Sequence, residues 1–80
     1  LNVYPNPAKE ILYIEIEDAY TQKGYEIILN SITGNQLKRF KTTKNDFSID
    51  LQSITQKGIY VLQLIDIERG SSSVQPILIE

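Results

Sequence analysis

Apolar and polar residues alternate with a period of two along most of this chain, and no window sustains the three-and-four spacing of an amphipathic helix. Successive side chains of a strand point to opposite faces, so this alternation marks strands with one dry and one wet face. The clearest case is LYIEIE, residues 12–17, where Leu12, Ile14 and Ile16 are set toward a core and Tyr13, Glu15 and Glu17 toward water. A short strand over residues 1–4 precedes it. The next two strands, residues 25–32 and 36–42, are joined through Thr33, Gly34, Asn35 and Gln36, where Gly34 and Asn35 tolerate the positive φ of a tight hairpin. After a turn at Lys44, Asn45 and Asp46, the alternation of Phe47, Ile49 and Leu51 with Ser48 and Asp50 predicts a fifth strand.

Residues 52–57 then cross to Gly58 and the longest apolar run, IYVLQLIDI, whose apolar residues on both faces predict a central strand covered more than its neighbours. A turn at Arg69, Gly70 and Ser71 leads to a last strand over residues 73–79. Pro76 lacks a ladder N–H and places that strand at a sheet edge or a bulge. The fold class is all-β, an immunoglobulin-like or Greek-key sandwich of about seven antiparallel strands. Eighty residues make one domain.

Composition narrows the function classes. A net charge of −2 provides no basic footprint for nucleic acid or an anionic membrane, and no stretch approaches the ~18 to 20 apolar residues of a spanning helix. Lys38, Arg39 and Lys41 alternate with other residues as on the wet face of a strand. The chain has no histidine and no cysteine, which removes the commonest general base, the thiolate nucleophile, any disulfide and the usual zinc ligands. No cofactor is expected. Ser31, Ser48, Ser53 and Ser71 to Ser73 have no imidazole to activate them and read as turn and surface residues. The carboxylate pairs Glu15/Glu17 and Asp66/Glu68 fall two apart on strand faces, a spacing that strand geometry produces without a catalytic site. Asp18, Asn45, Asp46, Asp66 and Glu68 lie near strand ends, but no DxDxDG loop gathers them for calcium. Among the aromatics, Tyr60 and Phe47 belong to strong strand patterns and read as core. Tyr13, Tyr20 and Tyr25 are candidate exposed rings for stacking on sugars.

Three blocks stand out in order: VYPNPA at residues 3–8, ITGNQL at 32–37 and IDLQSITQKGIYVLQL at 49–64. Together they resemble the C-terminal sorting domain, type A, of the type IX secretion system of Bacteroidetes, and the resemblance spans the whole chain. Tyr4, Pro5, Asn6 and Pro7 match the opening motif, Gly34 the hairpin glycine, Asp50, Leu51 and Ile54 the run before the turn, and Gly58 and Tyr60 the G-x-Y pair. Val74 stands for the valine of a Lys-Val-like motif in the final strand. Ser31 replaces an aspartate often found before the hairpin, Ser73 and Gln75 replace lysines around Val74, and Pro76 interrupts that strand. The resemblance implies a non-catalytic address tag at the end of a larger exported protein. A translocon and a sortase-like peptidase are its implied partners, and the implied route runs from the periplasm to the cell surface or medium. The missing initiating Met fits a chain cut from a longer polypeptide. The rival class is an immunoglobulin-like accessory module that binds carbohydrate or packs on a neighbouring domain.

Overall fold

The computed structural model describes residues 1–17 and 23–80. Asp18 and Tyr20, named above for calcium and for sugar stacking, lie outside the described residues. Among the described residues seven strands form: β1 (Asn2–Tyr4), β2 (Ile11–Glu15), β3 (Tyr25–Ser31), β4 (Gln36–Thr42), β5 (Asp46–Asp50), β6 (Gly58–Asp66) and β7 (Ser72–Ile79). They assemble into a three-stranded sheet in the order β1-β2-β5 and a four-stranded sheet in the order β4-β3-β6-β7, with every strand pairing antiparallel. The chain changes sheets between β2 and β3, between β4 and β5, and between β5 and β6. This is the expected sandwich, with the fourth strand beside the third.

The alternation that predicts the strands also builds the core. Leu12 and Ile14 of β2 and Ile49 of β5 face Tyr25, Ile27 and Leu29 of β3, Tyr60, Leu62 and Leu64 of β6, and Ile77 and Ile79 of β7. Phe40 of β4 and Phe47 of β5 close one side edge to face, with ring centroids 5.6 Å apart. Both are only half-buried against the core.

Several local readings shift. The second strand stops at Glu15, so Ile16 is half-buried and Glu17 lies in a turn rather than on a strand. The third ends at Ser31, leaving Ile32 exposed, because the hairpin closes earlier than predicted: the Ser31 N–H donates to the Asn35 carbonyl at 2.8 Å and the Gly34 N–H to the Ser31 carbonyl at 3.0 Å. Gly34 takes φ 95° within that turn. The central position of β6 is as predicted, but only one of its faces is buried. Ile59, Val61, Gln63 and Ile65 form a second face that no element covers fully.

One glycine that pattern reading passes over is fixed by crowding. Gly24 has φ 84°, and a methyl group on it would overlap the Thr42 carbonyl oxygen across the β3–β4 pair. Its own carbonyl accepts the Ile67 N–H at 3.2 Å, tying the entrance of β3 to the exit of β6.

Candidate functional site

The proline-rich opening stretch meets the last strand. Tyr4–Pro5 and Asn6–Pro7 are cis peptides, and the corner they form carries Asn6 and Ala8 to the outer edge of β7. Asn6 Oδ1 accepts the Leu78 N–H at 3.0 Å. The Ala8 N–H donates to the Leu78 carbonyl at 2.9 Å, and the Glu80 N–H donates to the Ala8 carbonyl at 2.8 Å, which makes an isolated parallel bridge between Ala8 and Ile79. Ala8 is fully buried, so a larger side chain there has no room. Residues more than seventy positions apart are thereby joined, and the end of β7 is sealed.

The other motif positions also have local structural roles. Ser31 stands where the resemblance leads to an aspartate before the hairpin, and its hydroxyl oxygen accepts the Asn35 N–H at 3.0 Å while pairing with the Thr33 hydroxyl at 2.9 Å. That is the capping a short acidic side chain would supply. Asp50 Oδ1 accepts the Gln52 N–H at 2.9 Å, an Asx turn that ends β5. Leu51 is buried, its N–H donates to the Glu10 carbonyl at 2.8 Å, and its carbonyl accepts the Ile54 N–H at 2.9 Å. Gly58 opens β6 with φ 140°, a backbone conformation other residues rarely take. Two residues on, Tyr60 is 6% exposed and donates its hydroxyl to the Gln56 carbonyl. A tyrosine at the start of the sixth strand, bonded back to the preceding corner, is the tyrosine corner of immunoglobulin-like sandwiches. The G-x-Y spacing carried that signal, but alternation alone reads the residue only as core.

The candidate chemical groups separate in space. Asp66 and Glu68 do not share a strand face: β6 ends at Asp66, whose Oδ1 accepts the N–H groups of Glu68 at 3.0 Å and Arg69 at 3.1 Å, while Oδ2 lies 3.9 Å from Arg69 Nε. That buried carboxylate caps the β6–β7 turn. Among the described residues, no three acidic side chains gather as a metal site would require. Tyr25 is not an exposed ring. It is 5% exposed, in phase with Ile27 and Leu29, and opposite Asp66 in the ladder. Its burial, then the Asp66 carboxylate, raise its phenol above the ordinary 10.0, with Arg69 pulling the other way.

Tyr13 is exposed on the outer face of the three-stranded sheet, but Tyr4 stacks on it with centroids 5.6 Å apart. The Tyr4 hydroxyl donates to Glu15 Oε1 at 2.6 Å, and that bond, with the nearby charges of Glu15 and Asp46, raises the Tyr4 phenol above its ordinary value. Glu15 and Asp46 stand directly opposite in the β2–β5 ladder, a like-charge arrangement that weakens a strand pair. The phenol's hydrogen bond offsets part of that repulsion. Asn2 Nδ2 donates to Glu17 Oε1 at 3.0 Å. The Tyr4 and Tyr13 rings therefore occupy one another and the neighbouring acid, and of the candidate stacking rings among the described residues Tyr13 is exposed and Tyr25 is buried.

Val74, which the resemblance places in a motif, is 61% exposed on the outer face of β7; Tyr4 of the opening motif is exposed as well but stacks on Tyr13. Alternate residues of β7 direct their backbone groups away from β6. Leu78 and Glu80 do so toward Asn6 and Ala8, and by the same parity Pro76, Val74 and Ser72 face outward. Pro76 thus lies where its missing N–H costs no bond to β6, which explains how a proline sits in this edge strand. Ser73 and Gln75, where the resemblance leads to lysines, point their backbone groups inward to β6.

Among solved structures, the chain is similar to a part of PorZ of Porphyromonas gingivalis, an essential bacterial surface component of the type IX secretion system. The TM-score is 0.80 at 17% identity, covering 99% of this chain and 11% of that one. No curated protein sequence matches. The likeness to PorZ establishes the sandwich. The model of the secretion system C-terminal sorting domain matches residues 2–80, so the proline corner, the hairpin and the tyrosine corner all lie within one family match. The chain belongs to that family, the C-terminal sorting signals of type IX secretion.

Proposed function

We propose that this domain is a non-catalytic address that rides on a larger exported cargo, passes through the periplasm with it and is read there by the type IX translocon. After passage to the cell surface or medium, a sortase-like peptidase removes it. The single observation that supports a reading surface on the last strand is the exposure of Val74, which the sequence resemblance places in a motif; Asn6, Asp50, Leu51 and Tyr60 are engaged in caps, the core or the corner, and the exposed Tyr4 ring is stacked on Tyr13. A non-catalytic role is supported by the absence of histidine and cysteine and by the turn-capping bonds of Asp50 and Asp66.

The test is a full-length cargo reporter in a bacterium that carries the type IX machinery. Deleting residues 73–80 should leave the reporter in the periplasm. Normal secretion of the truncated reporter would sink the proposal.

A further inference from the structure

Sandwiches have four sheet edges, and three of them here are guarded. β1 is three residues long, β4 carries Lys38, Arg39 and Lys41, and β5 is five residues long with Asp46 and Asp50 at its ends. Short length and charge are the usual devices that stop an edge from recruiting another strand. β7 is eight residues long, SSVQPILI, and carries no charge at all. Its C-terminal part is covered by Asn6 and Ala8. What remains is a window over residues 72–76, roughly 16 Å of extended backbone at about 3.3 Å per residue.

Within that window the outward groups are the N–H and C=O of Ser72, the N–H and C=O of Val74, and the C=O of Pro76. No described residue bonds them. The chain itself shows that this edge accepts extended backbone, because Ala8 already adds to it as a parallel bridge immediately beyond the window. Beside the window the outer face is mainly apolar: Pro76 stands opposite Val61 and Ser72 opposite Ile65, with Gln63 the polar residue opposite Val74, and just beyond the window Leu78, 41% exposed, stands opposite Ile59, 51% exposed.

Resting on the sorting reading above, we infer that the type IX machinery recognises this domain by β-augmentation. An extended, uncharged segment of a machinery protein, with apolar side chains at alternate positions, pairs with the edge of β7 over residues 72–76. Main-chain bonds provide the affinity, and the Val74, Leu78 and Ile59 surface selects the apolar residues. Because backbone is read, Ser73 and Gln75 can replace lysines without removing the recognised groups.

Proline substitution separates this mechanism from side-chain reading. Val74→Pro removes an outward donor while leaving the inward bonds of Ser73 and Gln75 to β6 in place. Val74→Thr keeps the donor and the side-chain shape. Ser72→Pro repeats the test at the first residue of the strand, where proline is best tolerated. Each is placed in the reporter-bearing chain, and its melting midpoint is compared with the parent. The inference predicts that both proline variants fold and lower the secreted fraction about tenfold, while Val74→Thr is secreted normally. Secretion of a folded proline variant at the parental level overturns it, as does equal loss with Val74→Thr. Sedimentation of the parent as a dimer that Val74→Pro dissolves also overturns it, since the edge would then hold a second copy. A parent reporter that is not secreted at all refutes the sorting reading itself, a result distinct from any difference among the variants.

Discussion

Replacing Asn6 by alanine tests whether the opening motif acts as a clamp on the last strand. The substitution removes the acceptor that lies 3.0 Å from the Leu78 N–H and nothing else that bonds β7, since Ala8 keeps its two main-chain bonds. Leu78 is partly exposed, so its released N–H turns to water and no buried orphan group is created. The loss is therefore the net value of one hydrogen bond, about 1 kcal/mol, without the added penalty of a stranded donor. For a domain of this size that lowers the melting midpoint by about 4 to 8 °C. Asn6→Asp supplies a carboxylate oxygen in place of the amide oxygen for the same donor and should stay close to the parent. Thermal melting followed by circular dichroism provides the midpoint, and amide hydrogen exchange locates the change. The Leu78 amide should lose protection in the alanine variant while the amides of Leu62 and Leu64, in the middle of the sheet, change much less. Equal midpoints for the parent and alanine variants, or equal losses for alanine and aspartate, would refute the clamp.

Gly24→Ala should cost more than about 2 kcal/mol, because it forces a side chain into a positive-φ site and against the Thr42 carbonyl, and a large fall in the melting midpoint would show it. Tyr60→Phe should lose about 1 to 3 kcal/mol through the unpaired Gln56 carbonyl at a partly buried corner, measured by urea denaturation with an unchanged slope. Stability should also fall at alkaline pH. The folded chain holds the Tyr25 proton more tightly than the unfolded chain does, so this contribution is whole below about pH 10 and is lost as the pH rises through the raised folded value. A series of melts above pH 9 checks this, and Tyr25→Phe should flatten the part of the slope that Tyr25 supplies.

The elements that sequence alone could place are those whose signal is local. Gly34 announces its hairpin, the alternation of Phe47, Ile49 and Leu51 its strand, and Pro76 an edge position, because each depends on neighbouring φ, ψ or side-chain direction. The features that escaped depend on partners distant in the chain. Gly24 is required by Thr42, Asn6 by Leu78, and the burial of Tyr25 by its neighbours on β4 and β6. Tyr25 was nonetheless readable in principle, since it is in phase with Ile27 and Leu29. Asp66, which the sequence places near a strand end with Glu68 two residues on, is a buried turn cap, a role visible only once the Glu68 and Arg69 amides are seen around it. The motif residues were legible as a pattern before any of these contacts was, because a family signature records positions without stating the bonds that hold them there.

Fusing residues 1–80 to the C-terminus of a reporter otherwise held in the periplasm asks most directly whether this sandwich is sufficient as an address. In a bacterium with type IX machinery, the fused reporter should appear at the cell surface or in the medium, and the same strain without a working translocon should retain it. A folded fusion that stays in the periplasm of the competent strain would contradict the sorting function.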